Sequence, residues 1–94
     1  MLKIMRIEDQ VKRVNKDKRY RIIQESVRTL RDSYGKSLVD VANPEKMDQV
    51  VTLRKNSDTA KEYLEIYELM LYEYDVLLGE LNKQKIELRN QLFA

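Results

Sequence analysis

Residues 58–94 repeat apolar side chains every seven positions. Ala60, Tyr67, Tyr74, Leu81 and Leu88 hold one place in the repeat. Tyr63, Met70 and Leu77 hold the place three later, and Leu64, Leu71, Leu78 and Leu92 the one after that. On an α-helix such a repeat draws an apolar stripe wider than a bare coiled-coil seam. The helix would run for roughly 50 Å at about 1.5 Å per residue. A stripe of that length must be covered, either by the rest of the chain or by another chain.

Two upstream segments have the periodicity to cover it. Ile4, Ile7, Val11 and Val14 predict a helix over about 5–15. Asn15-Lys16-Asp17 breaks the phase, and Asp17 is placed to cap the next helix with its carboxylate. The stripe resumes at Tyr20, Ile23, Val27, Leu30 and Tyr34, and Gly35 suits a helix stop, which predicts a helix over about 17–34. Residues 4–34 could thus form a nearly matching antiparallel arm.

The connector is less regular. Leu38, Val39 and Val41 are β-prone, but the run is too short to carry a sheet alone. The alternation within residues 1–7 also admits a short strand. Asn43-Pro44 reads as a helix start, with Met47, Val50, Val51 and Leu53 following at helical spacing. This predicts a helix over about 44–55, a second cap at Asn56-Ser57-Asp58 and the long helix over about 58–92. One continuous helix over 44–92 is the alternative, because Val50, Leu53 and Ser57 keep the heptad phase. The expected fold is all-α: a single domain, residues 1–94, built as an antiparallel helical hairpin or three-helix bundle with a long coiled-coil-like C-terminal helix.

Composition narrows the chemistry. The chain has neither cysteine nor histidine. Disulfides and thiolate metal sites are excluded, and the usual general base and commonest metal ligand are missing. Two glycines, one proline and 36% charged residues suit helices, and a 94-residue domain has a thin stability margin that oligomerisation would widen. No apolar run reaches the roughly 20 residues of a membrane span, and residues 1–7 do not read as a signal peptide. A cytoplasmic protein with no catalytic residues, no cofactor and no metal is expected.

Three motifs read as structure. Gly35-Lys36-Ser37 looks like the end of a phosphate-binding loop, but Leu30 stands where the first glycine belongs and a predicted helix precedes it. Glu62, Glu65, Glu68, Glu73 and Asp75 lie off the apolar stripe and lack the histidines of a di-iron bundle site, so they read as an acidic flank. Asn56-Ser57-Asp58 reads as a cap.

Charge is unevenly distributed. Residues 1–36 carry eleven Lys/Arg against five Asp/Glu, and residues 58–94 carry four against eight. The basic third could complement the acidic one within the chain, or grip phosphates. Arg13, Lys16, Arg19 and Arg21 are the candidates for nucleic-acid contact under that alternative.

A second apolar line on the long helix is the sharpest functional clue. Ile66, Leu69, Tyr72 and Val76 follow at steps of three, three and four, off the heptad stripe. Residues 63–78 are therefore apolar nearly all round, as in a helix buried on more than one side. These four, with Tyr63, Tyr67 and Tyr74 of the stripe, are the candidate protein-interface residues. The expectation is a non-catalytic interaction module — an adaptor, an assembly chaperone or an inhibitor of a larger protein — forming a homodimer through residues 66–76. A nucleic-acid-binding accessory protein is the alternative.

Overall fold

The computed structural model describes residues 2–32 and 36–93. Three helices and one β-hairpin follow in the order α1 (Leu2–Lys16), α2 (Lys18–Asp32), β1 (Leu38–Ala42), β2 (Val50–Arg54) and α3 (Asp58–Phe93). The molecule measures 56 × 21 × 20 Å, so its length is that of α3. Its radius of gyration is 17.4 Å, against roughly 12 Å for a compact domain of this size.

Helices α1 and α2 run back along α3 as an antiparallel arm. Arg31 pairs with Glu68 at 2.8 Å, the Tyr20 hydroxyl makes a long hydrogen bond to Asp75 at 3.4 Å, and Glu8 pairs with Lys85 at 3.0 Å. Falling numbers on the arm meet rising numbers on α3. The arm breaks where Asp17 interrupts the apolar phase. Its carboxylate accepts from the Arg19 amide at 2.8 Å, and its carbonyl accepts from the Arg21 amide at 3.1 Å, so Asp17 caps α2. Residues 2–7 are helical, so the short strand admitted at the start does not form. Tyr34 and the expected stop at Gly35 lie outside the described residues.

The all-α expectation is overturned by a two-stranded antiparallel sheet. Leu38 pairs with Arg54, Val39 with Leu53, Asp40 with Thr52, Val41 with Val51 and Ala42 with Val50. The helix expected over 44–55 is absent. Its apolar residues fit a helical period, but Val51 and Leu53 also fit the two-residue period of a strand, and Val50, Val51 and Thr52 are β-branched. Asn43 does not start a helix. Its side chain accepts from the Glu45 amide at 2.9 Å in a turn, while its own amide donates to the Gln49 carbonyl at 2.9 Å and extends the ladder. A lone hairpin is marginal in water. This one buries Val39, Val41 and Leu53 against α2 and α3 and leaves the Asp40–Thr52 pair outside.

The chain turns from β2 into α3 through Asn56, whose φ of 60° is left-handed, a conformation that asparagine tolerates better than most residues. Ser57 then caps α3. Its hydroxyl accepts from the Ala60 amide at 3.2 Å and its carbonyl from the Lys61 amide at 3.0 Å. The expected cap at 56–58 is thus where the long helix begins, and 44–92 is not one helix.

Ile23, Val27, Val39, Val41, Leu53, Ala60 and Tyr67 form the core. All of it lies at one end, where α2, the hairpin and the first half of α3 meet. The width of the heptad stripe follows from this arrangement, since α2 and the hairpin both pack on it. At the other end α1 alone packs on α3, and Ile7 and Leu81 are its buried apolar residues.

Candidate functional site

The outer side of α3 carries Leu69, Tyr72 and Val76, which are 62%, 64% and 44% exposed. They follow at steps of three and four, so they share one side of the helix, away from buried Ala60 and Tyr67. Ile66 is half-buried at the edge of this face. Beside it opens a shallow groove lined by Arg19, Met70, Glu73, Tyr74 and Leu77, with Leu77 44% exposed. Face and groove together expose on the order of a few hundred Å² of apolar surface, the size that commonly marks an interface.

Of the three stripe tyrosines expected at the interface, Tyr74 lines the groove, while Tyr67 and Tyr63 pack toward the core. Tyr67 is fully buried, and its hydroxyl donates to the Ala42 carbonyl at 2.6 Å, tying α3 to the end of β1. Tyr74 stacks on Tyr20 with ring centroids 4.8 Å apart, within the usual range for offset stacking. Tyr63 is half-buried against the core. Burial holds the Tyr67 hydroxyl above its ordinary pKa, and burial with the nearby Asp75 and Asp17 carboxylates does the same for Tyr20 and Tyr74 respectively. These are features of packing tyrosines.

The heptad phase places Leu77 on the apolar stripe. It is 44% exposed and lines the groove with Arg19 and Tyr74, and so it extends the exposed face.

The acidic residues divide into two groups. Glu68 accepts from the Arg31 guanidinium, and Asp75 accepts from Tyr20. Glu62, Glu65, Glu73 and Glu80 are exposed. Each stands four residues from a member of the apolar line: Glu62 from Ile66, Glu65 and Glu73 from Leu69, and Glu80 from Val76. The helix sets each beside that residue. Residues 62–82 contain six acidic side chains and no Lys or Arg.

Arg13, Lys16, Arg19 and Arg21 are exposed on α1 and α2. Arg13 and Lys16 share a side of α1, but Arg19 and Arg21, two apart, point to different sides of α2. Arg19 lines the groove beside Tyr74 and Glu73, where its charge opposes the other causes and favours ionised Tyr74. The four do not form one continuous stripe. Among the described residues no group of three or more Asp/Glu could hold a metal, and no helix is long and apolar enough to cross a membrane. No protein-family model, curated protein or solved structure matches the chain.

Proposed function

We propose that this protein is a non-catalytic helical interaction module, acting as an adaptor, an assembly chaperone or an inhibitor of a larger protein, and that it docks another polypeptide on the outer side of α3. The observation that carries this reading is the exposed row Leu69, Tyr72 and Val76 on a helix whose opposite side is already packed. A helix used only for its own core has no need of apolar residues there. The absence of histidine and cysteine from the sequence removes the commonest catalytic groups and fits a binding role. The nucleic-acid alternative asks for a continuous basic track, and Arg19 and Arg21 diverge. We place the protein in the cytoplasm, where a cysteine-free module needs no disulfide.

The test compares two baits in extract of the native cell: wild type and Leu69→Lys/Val76→Lys. Circular dichroism first establishes that both fold alike. A protein retained by the wild type and lost by the variant is the expected result, because a lysine cannot be buried unpaired in such a contact. Identical retained proteins on both baits would contradict the reading.

A further inference from the structure

We infer that the polypeptide taken up by the outer side of α3 is a basic amphipathic helix of a different protein, and not a second copy of this chain. The inference rests on the reading above and adds the chemistry of the partner. It comes from the charges that surround the apolar row.

Leu69, Tyr72 and Val76 stand among Glu62, Glu65, Glu73 and Glu80. None of these four acids is in an ion pair among the described residues, whereas Glu68, turned toward α2, has Arg31. Residues 62–82 carry no Lys or Arg; Lys61 and Lys83 stand just outside them, and Arg19 of α2 lines the groove beside Glu73. The face is apolar along its middle and carries more negative than positive charge.

A second copy fits such a face poorly. In an antiparallel two-fold pair that sets Leu69 against Val76 of the mate, Glu65 meets Glu80 of the mate, and the reverse contact repeats it. In a parallel pair every glutamate faces its own copy. In the antiparallel pair Glu62 meets Lys83 of the mate, but Glu65 and Glu80 are opposed twice; in the parallel pair eight carboxylates gather at one contact. Like charges across an interface suppress that pairing. The same arrangement favours a helix with an apolar stripe flanked by Lys or Arg. Its long side chains lie along the apolar row and bring their charges to the glutamates. Helix in groove is a common mode of peptide recognition, and the shallow groove at Met70 and Leu77 gives one edge of the seat. The stretch from Glu62 to Glu80 matches a partner helix of about five turns.

The test uses two labelled peptides of about 20 residues, with identical leucine spacing at three and four. One has lysine at the remaining positions and the other has glutamate. Fluorescence anisotropy follows their binding to the intact protein, and light scattering coupled to gel filtration gives its mass. The lysine peptide is expected to bind one to one, at least about tenfold tighter than the glutamate peptide, and to weaken as salt rises. Leu69→Ser/Val76→Ser keeps the acids and loses the apolar row, and it should abolish binding. Glu62→Gln/Glu65→Gln/Glu73→Gln/Glu80→Gln keeps the row and should weaken the lysine peptide by about tenfold or more. A wild type that is dimeric, and made monomeric by Leu69→Ser/Val76→Ser, would overturn the inference and leave the docking face standing. Equal affinity for the two peptides, or unchanged binding by the glutamine variant, would do the same. Binding of the lysine peptide that Leu69→Ser/Val76→Ser leaves intact would overturn both the inference and the docking face, and so would no binding by either peptide to a monomeric protein.

Discussion

The two ends of the molecule are built from the same long helix and hold it differently. At the first end, α2 and the β-hairpin both pack on residues 60–74, and Ile23 and Tyr67 are fully buried. At the second end, α1 alone lies along residues 78–92, with Ile7 and Leu81 buried and Leu2, Met5, Ile86, Leu92 and Phe93 exposed. Three elements enclose a core, whereas two helices share only a seam. A helix gains most of its stability from the packing of its apolar side, so one helix can be firm over half its length and loosely held over the rest. The exposed row at Leu69, Tyr72 and Val76 lies over the firm half, which makes it a preformed surface.

The largest effects should come from the core of the first end. Tyr67→Ala removes a fully buried ring and should cost about 3–5 kcal/mol in denaturant unfolding. Leu81→Ala at the second end should fall near the lower limit of the roughly 2–5 kcal/mol range for buried leucines, because the lightly packed seam can close over the gap. A Leu81 loss as large as that of Tyr67 would mean that both ends are packed alike.

Tyr67→Phe sharpens the comparison without opening a cavity. It leaves the half-buried Ala42 carbonyl without its donor and should cost about 1 kcal/mol, the net worth of one hydrogen bond. The hydroxyl also predicts a pH signature. Burial raises the pKa of Tyr67, and Tyr20 and Tyr74 are raised too. A raised pKa gives stability that is complete below the unfolded value of about 10 and is lost as pH rises through the folded one. Absorbance titration should find these three tyrosines ionising late, with unfolding following above that pH. Midpoints unchanged up to the alkaline limit would contradict the buried placement.

Gly79→Ala should give the smallest change, and it should be a gain. Nothing lies within 4 Å of where its Cβ would sit. Alanine in a helix interior is better than glycine by about 0.8–1 kcal/mol. A loss of stability would show that the outer side of α3 is covered in the isolated protein.

Much of this is legible in the sequence, and the exceptions have physical causes. The two arm helices and α3 follow from long periodic runs with a capping residue at Asp17 and Ser57. The hairpin does not, because Met47, Val50, Val51 and Leu53 satisfy helical spacing as well as a strand. Only pairing with Val39 and Val41, about a dozen residues away, decides between the two. The outer row at residues 69–76 can be read from its phase against the heptad. The roles of the tyrosines cannot, since Tyr63, Tyr67 and Tyr74 share a stripe. Tyr67 is interior because Ala42 brings a carbonyl over it, which no local pattern announces. Glu68 reads as a solvated acid until Arg31 of the arm is placed beside it.

Native-state hydrogen exchange, followed residue by residue, tests the difference between the ends most directly. Amides of residues 60–76, α2 and the paired strands should exchange only through global unfolding. Those of α1 and residues 82–93 should open at lower free energy, in a smaller cooperative unit. Uniform protection along all of α3 would contradict the account, and so would protection higher at the α1 end than at the hairpin end.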